Sequence, residues 1–282
     1  MNLCSYSEIN SLLKRHGFTF SKALGQNFIV NEKICPAMAQ SLNANDKTGV
    51  LEIGPGIGVL TNELCAVAGK VVSVELDSRL FPILSETLCG FDNIEIVEGD
   101  ALKMDLNAMI EEKFAGMSDI KVCANLPYYI TSPIIMKLIE SRLPVSEIVV
   151  MVQKEAADRL AAEIGSRESG ALTVAAQYYA EIEKLFDVGR GSFMPQPRVD
   201  SAVIKLKVRK EPPVRPENEK RFFEIVRSAF AQRRKTALNS LSSSLGVPKD
   251  KVRSALEEIG RQENDRAERF SMQEFAALSD LI

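Results

Sequence analysis

Histidine is almost missing from this chain of 282 residues: His16 is the only one. Ser-His-Asp catalysis and multi-histidine zinc sites each need an imidazole beside a nucleophile or a metal, and His16 sits among basic and aromatic residues near the start. Cysteine is scarce too. Cys4, Cys35, Cys65, Cys89 and Cys123 lie too far apart for a metal clip or a redox pair, and an odd number without a signal peptide points to reduced thiols in a cytosol. Long apolar runs are also lacking. None approaches the roughly 18 to 20 residues of a membrane span, and Met1-Asn2-Leu3-Cys4-Ser5 has neither the basic start nor the apolar stretch of a signal peptide. The expectation is a cytoplasmic protein with no membrane contact and no metal. Nor does one sign of charge dominate: 35 Lys+Arg against 38 Asp+Glu leave a net −3, an average that by itself argues against a nucleic-acid partner.

What is present has globular proportions, with 45% hydrophobic and 26% charged residues. The length suits one large domain or two smaller ones. From about residue 49, short β-branched runs alternate with helical patterns. Val50–Ile53, Val71–Val74, Ile94–Val97, Lys121–Ala124 and Ile148–Val152 are expected strands, and such alternation predicts an α/β fold with a mostly parallel sheet. A helix through Tyr179 and strands at Ile182–Val188 and Ala202–Val208 follow, the last two suited to an antiparallel edge. Pro212, Pro213 and Pro216 break all periodicity, so the boundary is expected there. Residues 1–210 form the first domain, with 1–45 as helix and loop laid against it, and 211–282 a smaller all-helical one. In the latter, Phe222, Phe223, Val226 and Phe230 recur at helical spacing, Pro248 opens a helix through Glu258, and Ser271-Met272-Gln273-Glu274 has the form of a capping box.

Glu52-Ile53-Gly54-Pro55-Gly56-Ile57-Gly58 links the first expected strand to a helix over Val59–Val67. Glycine is needed where chain turns sharply out of a strand and backbone approaches a ligand. The third glycine of a dinucleotide fingerprint would fall at Val59, so the pyrophosphate turn of an NAD enzyme is not reproduced. Glu75 ends the second strand, Asp100 follows the third and Asn125 ends the fourth. In doubly wound sheets these ends line one crevice. There an acidic residue after the second strand suits a ribose diol, and an aspartate after the third suits an exocyclic adenine amine. Each of these residues, taken singly, also suits a helix cap or a turn.

Asn125-Leu126-Pro127-Tyr128-Tyr129 carries the most specific chemistry. A nucleobase amine is a poor nucleophile because its lone pair is delocalised into the ring. Acceptors placed for its two N–H groups favour a tetrahedral nitrogen and aim the lone pair at an electrophilic methyl group. The Asn125 side-chain oxygen and a backbone carbonyl at Leu126 or Pro127 are the candidate acceptors, with Tyr128 stacked on an extruded base.

With these residues in place, the sequence resembles the ribosomal RNA adenine N6,N6-dimethyltransferase family over nearly its whole length. The resemblance runs through Lys22-Ala23-Leu24-Gly25-Gln26-Asn27-Phe28, the Glu52–Gly58 turn, Glu75, Gly99-Asp100-Ala101 and Asn125-Leu126-Pro127-Tyr128. It continues through Phe193-Met194-Pro195-Gln196-Pro197-Arg198-Val199-Asp200-Ser201 and Ala229-Phe230-Ala231-Gln232-Arg233-Arg234-Lys235. It implies a Rossmann-like S-adenosylmethionine-dependent methyltransferase with a helical RNA-binding carboxyl domain. It also implies dimethylation of adenines, two adjacent ones near the 3′ end of 16S rRNA, in an immature small ribosomal subunit. By the same resemblance, Asn27 and Ile29 close over the methionine part of the cofactor with Gly54 beneath it, Glu75 holds the ribose, and Asp100 and Ala101 the adenine. Asn125 sits between donor methyl and target nitrogen, and Phe193 is a second aromatic wall across from Tyr128. A loop aromatic filling space beside two prolines is the other reading of Phe193.

Charge distribution qualifies the bulk average. Asp187–Ala255 holds 16 Lys+Arg against 7 Asp+Glu, and the remainder 19 against 31. Clustered cations neutralise phosphates, so Arg198, Arg233, Arg234 and Lys235 are candidate phosphate contacts, the last three also suiting a helix carboxyl end. Three further readings stay open: a large-subunit rRNA adenine methyltransferase of the macrolide-resistance type, a non-catalytic RNA-binding assembly factor, and an NAD-dependent oxidoreductase, the last disfavoured by Val59. A monomer is expected.

Overall fold

The computed structural model describes residues 1–21 and 24–282, so Lys22 and Ala23 of the quoted motif lie outside the described residues. The chain forms α1 (Tyr6–Arg15), β1 (Phe28–Ile29), α2 (Ile34–Ser41), β2 (Thr48–Ile53), α3 (Val59–Val67), β3 (Lys70–Glu75), α4 (Phe81–Thr87), β4 (Ile94–Glu98), α5 (Leu106–Lys113), β5 (Asp119–Asn125) and α6 (Thr131–Glu140). It continues through β6 (Glu147–Gln153), α7 (Lys154–Leu160), α8 (Ala171–Tyr179), β7 (Ala180–Val188), β8 (Phe193–Met194), β9 (Ser201–Val208), α9 (Glu219–Phe230), α10 (Ala237–Leu245), α11 (Lys249–Glu258) and α12 (Met272–Leu281).

β2, β3, β4, β5 and β6 pair in parallel, and β9 joins antiparallel to β6 from Glu147↔Lys207 to Gln153↔Ser201. The order is β4-β3-β2-β5-β6-β9-β7. Strand order reverses between β2 and β5, which places the crevice of a doubly wound sheet at their carboxyl ends. β2 is buried along its whole length, as expected of a parallel strand covered on both faces. Val50, Cys123, Met151 and Val203 pack with Met38 of α2 and Leu60 and Leu64 of α3. Cys35, Cys65 and Cys123 are buried free thiols.

A second, two-stranded pairing has no period to announce it: β1 runs antiparallel to β8, with Phe28 opposite Met194 and Ile29 opposite Phe193. It ties the segment before the sheet to the late loop, 164 positions away at Ile29–Phe193 in a chain of 282 by hydrogen bonds rather than by any pattern either stretch carries alone.

The chain divides into two compact units, residues 1–157 with 182–208, and residues 158–181 with 209–282. The sequence reading put 158–181 with the first domain and a single boundary after 210. The structure groups that stretch with the carboxyl helices because Val174 and Tyr178 join their core with Phe222, Phe223, Leu241, Phe270 and Phe275. Tyr178 lies 5.2 Å from the Phe222 ring and 5.1 Å from that of Phe223, and burying such aromatics dominates the energetics of a small helical core.

Candidate active site

The turn after β2 has glycine for a geometrical reason. Gly54, Gly56 and Gly58 have φ of 72°, 59° and 90°, a region that costs L-residues with a Cβ about 1–2 kcal/mol. The three differ in surroundings. A Cβ at Gly56 would meet the Phe28 ring at 3.2 Å and one at Gly58 the Thr87 hydroxyl at 3.0 Å, whereas one at Gly54 meets no atom within 4 Å. Gly54 therefore keeps an open face, and it opens on a cavity. Gly58 begins α3 without any side-chain cap, which leaves the helix's first N–H groups without that partner.

That cavity is lined by Leu24–Ile29, Ile53–Ile57, Glu75, Leu76, Asp100, Ala101, Asn125–Ile130 and Phe193, among others. Every residue named from the sequence as a candidate site residue is in this lining. Their local settings differ. Glu75 is 6% exposed; its Oε1 accepts the Asp77 N–H at 2.8 Å and its Oε2 the Gly56 N–H at 3.4 Å. Burial pushes its carboxyl up while these N–H donors pull it down. Asp100 accepts the Leu102 N–H at 3.0 Å and lies 3.4 Å from the Lys103 ammonium, so it is a turn former as well as a lining residue. Asn125 donates from Nδ2 to the Asn27 carbonyl at 3.4 Å, which reserves its Oδ1 as an acceptor. Asn27 in turn donates to the Gly25 carbonyl at 2.9 Å.

Backbone geometry separates the two candidate carbonyls. That of Pro127 accepts the Ile130 N–H at 3.1 Å and the Thr131 hydroxyl at 3.5 Å, whereas among the described residues no donor is bonded to the Leu126 carbonyl. The Tyr128 hydroxyl is 2.8 Å from the Ser201 hydroxyl, which fixes the ring from its far end; burial raises its phenol. Phe193 lines the cavity too, but at 2% exposure its ring packs with Ile29, Met151 and Val203. The structure thus displays the space-filling arrangement of Phe193, not an open aromatic face.

Several lining or supporting groups were not singled out from the sequence. Leu76 and Tyr129 are 49% and 55% exposed at the cavity. An apolar residue next to an acidic strand end is a weak sign that an aromatic ring is to be covered there. Glu52, named only as the start of the glycine turn, is 1% exposed. Its Oε2 accepts from Thr61 at 2.7 Å and Ser73 at 2.5 Å while Oε1 has no partner among the described residues, and burial raises its pKa to about 7. Gln26, Asp77 and Arg79 form a linked set at the end of β3, for which the sequence offers no local signal.

A reversal in strand order, an open glycine face, a buried acid after β3 and an amide at the end of β5 define a Rossmann-like S-adenosylmethionine-dependent methyltransferase, and the residues fit that cofactor. Residues 17–282 match the family model described as Ribosomal RNA adenine dimethylase; the chain belongs to that family. It is 51% identical over 274 residues to "Ribosomal RNA small subunit methyltransferase A" of Geobacillus thermodenitrificans (96% of this chain, 94% of the relative). It is 45% identical over 284 residues to the protein of the same description from Bacillus mycoides (100% and 97%). Among solved structures, a dimethyladenosine transferase from Plasmodium falciparum superposes with a TM-score of 0.72 at 29% identity (89% of this chain, 95% of that one). The 23S rRNA methyltransferase ErmE gives 0.68 at 28% identity (90% and 98%).

Proposed function

We propose that this chain dimethylates the N6 amine of adenines in small-subunit rRNA, acting in the cytoplasm on an immature subunit as a monomer. The observation that carries the reading is that Asn125-Leu126-Pro127-Tyr128 shares one cavity with Gly54, Glu75 and Asp100. The 45–51% identity to full-length proteins described as small-subunit rRNA methyltransferases supports the small-subunit RNA over the large.

S-adenosylmethionine, when bound, supplies an electrophilic methyl group. Glu75 would hold the ribose hydroxyls, Asp100 and Ala101 the adenine, and Asn27, Ile29 and Gly54 the methionine part. The Asn125 Oδ1 and the Leu126 carbonyl accept the two N–H groups of the target amine, turning its lone pair toward the methyl and stabilising the positive charge that develops. Tyr128, fixed by Ser201, stacks on the extruded base. Pro127 sets the turn between them, and Phe193 backs the cavity from β8. The methylated amine is acidic enough to lose its proton to solvent, so a strong general base is not required.

Arg198 is exposed in the loop before β9, and Arg233, Arg234 and Lys235 are exposed in the turn after α9; these are the proposed phosphate contacts. Two other cations of the basic stretch are already engaged. Lys205 pairs with Glu147 at 3.0 Å in a buried setting, and Arg221 with Glu224 at 2.6 Å.

Labelled donor incubated with undermethylated small subunits, followed by nucleoside mass spectrometry, is expected to yield N6,N6-dimethyladenosine. Transfer confined to large-subunit RNA would favour the macrolide-resistance reading, and donor binding without transfer to either would favour an assembly factor. Reversing charge at Arg233 and Arg234 is expected to weaken RNA binding and to make its dependence on log salt shallower by roughly one to two. An unchanged slope would place the RNA elsewhere.

A further inference from the structure

Two residues past Glu75, Asp77 is 6% exposed and accepts from four donors. Its Oδ2 takes the Gln26 Nε2–H at 2.8 Å and an Arg79 terminal N–H at 2.7 Å. Its Oδ1 takes the Arg79 Nε–H at 2.8 Å and the Arg79 backbone N–H at 3.2 Å. The hydrogen-bonded guanidinium holds the carboxyl below its ordinary range, so it stays an acceptor. Both partners reach into the amino-terminal segment. Gln26 accepts the Ser21 N–H at 2.9 Å, and Arg79 donates to the Thr19 carbonyl at 3.4 Å with its Cζ 5.1 Å from the Phe18 ring centre.

Residues 24–29 line the cavity and are held at three places: by Asn125 on the Asn27 carbonyl, by the pairing of β1 with β8, and by Gln26 on Asp77. The last joins two side chains 51 positions apart. The link from Asp77 to Glu75 runs through the Asp77 backbone N–H, so changing the Asp77 side chain leaves that bond in place.

We propose that Asp77 is a positioning residue: through Gln26 and Arg79 it clamps the segment over the donor's amino-acid half to the end of β3. This rests on the donor-site reading above. An aspartate carboxylate only accepts, whereas an asparagine must present two N–H groups. In Asp77→Asn a donor therefore faces Gln26 Nε2 or the guanidinium; the position-77 side chain is 5% exposed although that of Arg79 is 48% exposed, and a donor left unmet on the buried side is costly.

Isothermal titration with S-adenosylhomocysteine and with adenosine tests this in Asp77→Asn, Gln26→Glu and the double variant. Asp77→Asn is expected to weaken S-adenosylhomocysteine about tenfold and adenosine less than about twofold, because the ribose and adenine groups keep their own supports. Gln26→Glu alone sets two carboxylates face to face and is expected to do the same. In the double variant the amide donates to the new carboxylate, and affinity is expected back within roughly threefold of wild type, a coupling of neighbours. Equal losses for both ligands, no loss, or additive losses in the double variant would overturn the clamp alone. Wild-type protein that binds neither ligand would instead overturn the donor-site reading, and the clamp with it.

Discussion

α3 starts at Gly58 in a left-handed conformation with no side-chain cap, and α6 starts at Ile130 with none. In the carboxyl unit, α9, α10 and α12 start at Asn218, Thr236 and Ser271, whose side chains accept from Arg221, Asn239 and Glu274 N–H groups. The same contrast holds for the interiors. The sheet unit buries Glu52, Glu75 and Asp77 near its crevice, whereas the core of the helical unit is built from aliphatic and aromatic side chains such as Phe222, Phe270, Phe275 and Leu241. Capped helix ends and an apolar core satisfy a unit from within. Uncapped ends, left-handed glycines and desolvated acids do not; Gly54, Gly56, Gly58, Glu52 and Glu75 gather such features at the crevice, whereas in the helical unit the uncapped start of α11 at Pro248 and the left-handed Gly246 and Gly260 are scattered along the chain.

The sharpest way to break this comparison is at Asn125. Asn125→Ala is expected to cut methyl transfer by on the order of 100- to 1,000-fold in single-turnover assays while RNA binding stays largely intact. Loss of both together would make Asn125 a structural residue like those of the helical core.

Next comes the buried acid. Glu52 ordinarily titrates at 4.5 and here at about 7, so between those values the folded chain holds a proton that the unfolded chain has released. Stability is then fullest below about 4.5 and falls as pH rises toward 7 and slightly beyond, by on the order of 3 kcal/mol. Urea titrations across pH 4.5–8 are expected to show this decline in wild type relative to Glu52→Gln, which has no carboxyl to ionise. Parallel pH profiles would mean that Glu52 is solvated.

The smallest effect is the most direct comparison. Gly54 (φ 72°) and Gly246 (φ 68°) both leave open space where a Cβ would go. Alanine at either is expected to cost about 1 kcal/mol of stability. Only Gly54→Ala should also weaken donor binding, by roughly tenfold, because its methyl enters the cavity. Calorimetry on both variants reads the difference, and equal donor affinity in the two would remove Gly54 from the site.

Much of this site was legible in the chain itself. Gly54, Glu75, Asp100 and Asn125 were marked because each follows a β-branched run and strand ends in a parallel sheet converge. The α3 bounds and the Ser271 capping box followed from turn and cap chemistry within a few residues. The β1–β8 pairing, the Gln26–Asp77 bond and the placement of residues 158–181 with the carboxyl helices were not legible, because each joins stretches that carry no periodic sign of one another.

What the amino-acid order determined on its own is therefore whatever depends on neighbours in sequence: which runs are strands, where helices start, and which polar residues stand at strand ends. Only tertiary structure decided how those groups are solvated and to what they are tied. It buried the ring of Phe193, committed the Pro127 carbonyl to its own turn and left that of Leu126 available. It also stripped the water from Glu52 and closed four donors around Asp77. The physical reason is that dielectric setting and hydrogen-bond partnership are properties of space, and residues 51 positions apart in one bond share nothing along the chain that could announce it.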